Sequence, residues 1–222
     1  MEILYSDKDT VVVVKPPFMP SQSDPSGDAD AMTLTKKALS DRGERAELFL
    51  IHRLDRTVGG LLVFARNKTA CARLNRALEE GKIIKEYLAV TDGHCDADGT
   101  MEDYLIRDSA TSRAHSVPGE RRGAKYARLF YEALAHAKDG ERALSLVRVR
   151  LDTGRFHQIR IQFSTRHLPL LGDGKYGSKT NKCKVSLFAY RLTFPSVSGR
   201  KTVVAYPDFN AYPWCLFSKE NI

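Results

Sequence analysis

The 222-residue sequence is short of the features that mark several common protein classes. Its four cysteines, Cys71, Cys95, Cys183 and Cys215, are far apart, so no CxxC pair is available to build a zinc or redox site. They read as the reduced thiols of a cytosolic protein. No apolar run is long enough to cross a bilayer as a helix, because the longest, such as Val11 to Val14 and Leu61 to Ala65, are strand-sized. The first nine residues, Met-Glu-Ile-Leu-Tyr-Ser-Asp-Lys-Asp, lack the basic start and apolar stretch of a secretory signal. No Walker A pattern occurs, and the single GxGxxG string, Gly172 to Gly177, is by default a glycine-rich turn after a buried run, which disfavours the nucleotide-cofactor folds. The expectation is a soluble, cytoplasmic protein with no membrane partner.

What is present begins with charge. Thirty-five Lys and Arg stand against 27 Asp and Glu, a net charge of +8 that makes a polyanionic partner plausible without requiring one. The excess is local: Tyr104 to Lys201 holds 20 Lys and Arg against 7 Asp and Glu, while the rest of the chain is net acidic. With 42% hydrophobic residues, no linker and no repeat, residues 1–222 read as a single catalytic-sized domain.

Thr10 to Lys15 is a β-branched run stopped by Pro16-Pro17, hence a buried strand and a forced extended turn. Pro20 to Asp30 is loop-like, and Thr33 to Leu39 reads as a short helix. Leu61 to Ala65 is a second strand. Asn67 then caps a helix with apolar positions Ala70, Leu74, Ala77 and Leu78, ended at Gly81. Ile83 to Thr91 and Leu144 to Leu151 are further strands, the latter with Val147, Val149 and Leu151 opposite Arg148 and Arg150. Strands and helices interleaved at irregular intervals predict an α+β fold with a mixed sheet.

Two clusters could carry chemistry. His52-Arg53-Leu54-Asp55-Arg56 precedes Thr57-Val58-Gly59-Gly60 and places three basic-capable side chains around one carboxylate on a loop. Either it is a surface ion-pair cluster, or the cations keep a functional carboxylate ionised. Gly154-Arg155-Phe156-His157-Gln158-Ile159-Arg160, if helical over Phe156 to Phe163, sets His157 and Arg160 on one face and Phe156 and Ile159 on another. That suits the gripping of an anion, and equally an ordinary amphipathic helix. Tyr87, on a strand opened by Lys85-Glu86, reads by default as packing. Asp173, within Gly172-Asp173-Gly174, reads as a turn former.

The order of these elements adds what none of them says alone. HRLDRTVGG, KEYLAV, GRFHQIR, PLLGDGKYG and LFAYRLTFPSVSG, opened by TVVVVKPPFMP, resemble the RluA family of RNA pseudouridine synthases from about Ile3 to about Pro207. The resemblance implies the α+β pseudouridine synthase fold, a mainly antiparallel mixed sheet flanked by helices and loops around a central cleft. It implies isomerisation of uridine to pseudouridine in tRNA or rRNA by a short form without an N-terminal RNA-binding module, acting as a monomer.

By the same resemblance Asp55 is the catalytic aspartate, Tyr87 the active-site tyrosine and Arg160 the basic partner that holds Asp55 charged. Arg53 helps displace the target nucleotide, Leu187 packs under the uracil, and His52, Arg56, Arg155, His157 and Gln158 contact substrate. The reaction conserves atoms and electrons, so it calls for no metal and no organic cofactor. Bringing the base out of its stack costs about a few kcal/mol. Phosphate contacts from Arg113, Arg121, Arg122, Lys125, Arg155, Lys179, Lys182 and Lys184 would offset that cost.

Two departures from the family pattern stand out. Thr57-Val58-Gly59-Gly60 replaces an Asp-Thr-Ser-Gly-like segment, which bears on loop conformation and RNA preference, and Leu168 replaces a glycine before PLLGD as a turn variant. A non-catalytic RNA-binding or ribosome-assembly factor on the same fold is the alternative. A carboxylate hydrolase would need a second acid, for which Asp173 is the nearest candidate.

Overall fold

A computed structural model of the chain describes residues 1–96 and 98–222. The chain divides into two compact units, one of residues 1–85 and 188–207, the other of residues 86–187 and 208–222.

The first unit is a sheet with two helices. Strand β1 (Glu2–Ser6) pairs antiparallel with β2 (Thr10–Lys15), and β2 pairs antiparallel with β4 (Gly59–Ala65), which also carries the short β3 (Phe49–Leu50). Beyond β4 lies β10 (Leu187–Ser196), parallel to it at Phe188↔Gly59 and Ala189↔Gly60, and β11 (Gly199–Val204) closes a hairpin on β10. Every residue of β4 is buried, so it reads as a continuous apolar run rather than an alternating one.

Helix α1 (Ala31–Ser40) starts two residues earlier than its sequence pattern suggested, because the Asp30 carboxylate caps it by accepting the Thr33 N–H at 2.9 Å. Ala31, Thr35 and Leu39 are its buried residues. Helix α2 (Lys68–Glu79) is capped by Asn67, as expected, and packs Ala70, Leu74 and Ala77 into a core with Val12, Leu61, Val63, Leu192 and Phe194.

The double glycine expected on a loop instead opens β4. A Cβ on Gly60 would lie 2.3 Å from the Ala189 carbonyl oxygen, and its φ is +118°. Gly60, the glycine that this segment shares with the Asp-Thr-Ser-Gly-like pattern, is thus what allows β4 and β10 to approach.

The second unit is a largely antiparallel sheet with one wet face. Its strands β5 (Ile84–Asp92, from Glu86 onward), β6 (Asp98–Asp108), β7 (Arg113–Val117), β8 (Lys125–Asp139) and β9 (Arg142–Leu151) lie in the order β5-β9-β8-β6-β7. Met101, Ala127, Leu129, Val147 and Val149 fill the buried face. Arg128, Phe130, Glu132, Arg148 and Arg150 occupy the other, as the alternation in β9 predicted.

Helix α3 (Gln158–Ser164) is shorter than expected and differs in kind. His157 takes a left-handed conformation, φ +53°, so the helix begins only after it and His157 does not stand one turn below Arg160. All of Gln158 to Phe163 is buried, which replaces the amphipathic helix with a core one. The turn at Leu168 is made by its predecessor: His167 carries the positive φ, +60°, that a glycine would otherwise supply.

Candidate active site

The HRLD segment connects β3 to β4, and its apolar residues fix it. Ile51, Leu54 and Val58 are buried, leaving Arg53 and Arg56 exposed and Asp55 half-buried. The Asp55 carbonyl accepts the Val58 N–H at 3.0 Å, so Asp55 opens a tight turn.

Beneath that turn is a cation that the sequence showed only as the end of a strand. Lys15 is fully buried, and its Nζ donates to the carbonyls of Pro16 at 3.0 Å, Met19 at 2.8 Å and Arg56 at 3.3 Å. Burial pushes its pKa down to about 8, while the Asp55 carboxylate pulls in the opposite direction. The ammonium is therefore charged at neutral pH, with Asp55 as the counter-charge that favours it. By reciprocity the same attraction favours the ionised form of Asp55.

The remaining basic-capable residues behave differently from one another. His52 Nε2 accepts the Val63 N–H at 3.4 Å, and its Nδ1 is buried without a hydrogen-bond partner among the described residues. Burial, assisted by Lys85, drives its pKa down to about 3, so His52 is neutral rather than a third cation. The unfolded chain takes up this proton near pH 6.5, whereas the folded protein refuses it until about pH 3. Stability from this residue is full above the higher value and falls as pH drops between the two. The urea midpoint is expected to fall between about pH 7 and about pH 4.5, and to fall less in His52→Gln. Equal pH dependence of the two proteins would remove His52 as the cause. Arg56 donates to Ser26 Oγ at 3.0 Å and to Asp28, with Asp24 3.8 Å away, which holds its exposed guanidinium toward the 24–28 loop.

In the second unit, Tyr87 is buried on β5, 6% exposed. Arg160 projects from α3 and makes a two-pronged ion pair with Asp173, Nε to Oδ2 at 2.6 Å and Nη2 to Oδ1 at 2.8 Å. Both partners are buried, and the guanidinium also lies over the Tyr176 ring at 5.0 Å. Asp173 is thus more than a turn former: it fixes the plane of the guanidinium. His157 Nδ1 is 2.8 Å from the Tyr176 hydroxyl, which in turn accepts the Ala114 N–H at 2.7 Å. Phe156 stacks on the His157 ring and receives Arg107 on a cation–π contact of 4.5 Å.

Gln158 is buried; its Oε1 accepts from Thr153 and from the Arg155 N–H, and its Nε2 donates to Arg128. Arg155 is exposed and donates to the Tyr126 carbonyl at 2.8 Å. Leu187, 6% exposed, begins β10.

Arg113, Arg121, Arg122, Lys125, Lys179 and Lys184 are all exposed, and the first four follow one another along β7, the next loop and the start of β8. Lys182 is paired with Asp139 at 2.7 Å. The wet sheet face instead carries a concavity of about 460 Å³ lined by Phe130, Arg148 and Arg150 together with Glu86, Asp98 and Glu132. Its carboxylates outnumber its arginines, so a polyanion is better received on the β7–β8 side. No cluster of metal-ligating side chains and no helix long and apolar enough to cross a membrane occurs among the described residues.

Comparison with known proteins bears on the whole arrangement. Ribosomal large subunit pseudouridine synthase D of Vibrio parahaemolyticus is 32% identical over 81% of this chain and 53% of its own. The corresponding protein of Escherichia coli strain K12 is 32% identical over 87% and 57%. The chain therefore spans about half the length of the curated relatives it matches. Among solved structures, human RNA pseudouridylate synthase domain containing 1 superposes with a TM-score of 0.77 at 25% identity over 94% of this chain and 84% of that one. Human RNA pseudouridylate synthase domain containing 4 gives 0.77 at 23% identity over 94% and 89%, a likeness of fold. The profile described as RNA pseudouridylate synthase matches residues 9–165, a stretch that takes in buried Lys15, the Asp55 turn, Tyr87 and the Arg160 helix, and the chain belongs to that family.

Proposed function

We propose that this chain isomerises uridine to pseudouridine in a structured RNA, ribosomal or transfer, with Asp55 as its ionised catalytic carboxylate. The observation that carries this reading is the Asp55 turn itself. The carboxylate is half-buried, the carbonyl of the next residue accepts from the fully buried Lys15 ammonium, and the segment is matched by the family profile. Such a carboxylate is poised to react as an anion, either by adding to the base or sugar or by taking a sugar proton.

The N-glycosidic bond breaks, the uracil turns while held, and C5 bonds to C1′; the C5 proton leaves and a proton returns to the freed nitrogen. Substrate and product are isomers, so no oxidant or group donor enters the balance. Tyr87 offers an aromatic face to the uracil and a hydroxyl for proton transfer. Arg160, its plane set by Asp173, is the basic partner. Arg53, exposed two residues before Asp55, assists displacement of the nucleotide, and Leu187 packs on the base. The exposed Arg113, Arg121, Arg122 and Lys125 hold phosphates.

The test is release of tritium from [5-³H]uridine in transcribed ribosomal and transfer RNAs incubated with the protein. Release with intact RNA is expected. Free uracil without pseudouridine would mark a hydrolase, and RNA binding without release would mark a binding factor.

A further inference from the structure

The geometry points to Ser21 as a positioning residue that sets the Asp55 carboxylate for reaction. This rests on the pseudouridine synthase reading and deepens it. Ser21 is 6% exposed, and its hydroxyl makes two opposed hydrogen bonds to a single residue 33 positions away. It donates to the Leu54 carbonyl at 3.0 Å and accepts the Leu54 N–H at 3.1 Å. Both main-chain groups of the residue immediately before Asp55 therefore depend on one side-chain oxygen.

That oxygen is itself anchored. The carbonyls of Pro20 and Ser21 accept the N–H groups of Ala31 at 2.9 Å and Met32 at 3.2 Å, donors that the start of α1 leaves without partners inside the helix. The residue on the other side of Asp55 is held from the same loop, since Lys15 Nζ reaches the Arg56 carbonyl. Lys15 also gathers Pro16 and Met19, on either side of Phe18, whose φ of +67° makes the loop sharp. Residues 15–21 thus grip Asp55 by both neighbours and leave its side chain to other work.

The consequence is mechanical. With the Leu54 peptide groups fixed, the Cα–Cβ direction of Asp55 is fixed as well. Without Ser21 the Leu54–Asp55 peptide gains freedom to rotate, and the carboxylate shifts while the RNA-facing charges stay where they are. A displacement of about 1 Å at a reacting group costs about a hundredfold in rate. A serine that served only to satisfy buried backbone would affect stability and leave turnover of the folded protein untouched.

The experiment compares Ser21→Ala, Ser21→Cys and Ser21→Thr with the unaltered chain on one transcribed RNA, well below each protein's unfolding temperature. Ser21→Ala is expected to lower kcat about 10- to 100-fold with KM within about twofold. Ser21→Thr, which keeps the hydroxyl, should recover most of the loss, and Ser21→Cys should fall between, providing the readout if the alanine variant fails to fold. Unchanged kcat in folded Ser21→Ala or Ser21→Cys overturns the role, as does a loss carried by KM alone. Absence of product from the unaltered chain overturns the underlying function, whereas product there with unaffected serine variants overturns the Ser21 assignment by itself.

Discussion

Asp55→Asn is expected to lower pseudouridine formation by about a thousandfold or more, while RNA affinity stays within about twofold. Asparagine matches the shape of aspartate and keeps the backbone, so the turn closed by the Val58 N–H and the Lys15 bond to Arg56 persist. What disappears is the anion. A neutral amide neither adds to an electrophilic carbon nor takes a proton at neutral pH, so turnover falls with little change in binding. Tritium release at saturating RNA reads the first effect, and a filter-binding or fluorescence titration reads the second. Turnover close to that of the unaltered chain would end the proposed mechanism. If the cellular role survives the substitution, the protein acts as a binding or assembly factor.

The second large effect lies at Asp173. Its pair with Arg160 is two-pronged and buried at both ends, 6% and 1% exposed by side chain. Removing one member of such a buried pair costs about 3–5 kcal/mol. For a chain of this length that corresponds to a fall in Tm of roughly 10 °C. Asp173→Asn keeps the volume and one acceptor oxygen, so it isolates the charge, and Asp173→Ala removes both. A Tm within about 2 °C of the parent for the alanine variant would show that the pair does not hold this part of the fold. The asparagine variant should also lose turnover, since the guanidinium plane of Arg160 is then set by one bond where two had fixed it.

The sequence made β2, β4, α2 and β9 legible because each has one clear pattern and a clean stop, a continuous apolar run in β2 and β4 and a single period in α2 and β9. Asn67 and Gly81 bracket α2, and Pro16-Pro17 ends β2. The long strands β6 and β8 left less trace. Their wet face mixes Glu102, Arg128 and Glu132 with aromatics, and this blurs the alternation on which strand reading depends. Asp55, Tyr87 and Arg160 stand out as candidates only as members of an ordered set of motifs.

The partners of Lys15, Ser21 and Asp173 were not readable, and for the first two the reason is the distance to them. Lys15 reaches across 41 positions to Arg56, and Ser21 across 33 to Leu54. Asp173 lies only 13 positions from Arg160, yet a Gly-Asp-Gly segment has a sufficient local explanation as a turn, and that explanation concealed the ion pair. A lysine closing an otherwise apolar run, TVVVVK, was the one local sign that a charge had been buried on purpose.

The unit that carries Asp55 is discontinuous in the chain, residues 1–85 being completed by residues 188–207. The start of β4, a few residues after the Asp55 turn, is seated against Phe188 and Ala189, with Gly60 too close to the Ala189 backbone to admit any other residue. During translation the Asp55 turn therefore emerges long before the strand that backs β4. At about 5–20 residues per second, that wait is on the order of ten seconds. For that interval the nascent chain exposes an all-apolar β4 with one neighbour missing, while the intervening segment has time to fold first. That unit is then completed late, when the final hairpin closes, and a chain cut short before residue 188 holds the Asp55 turn without the strand against which the start of β4 is seated.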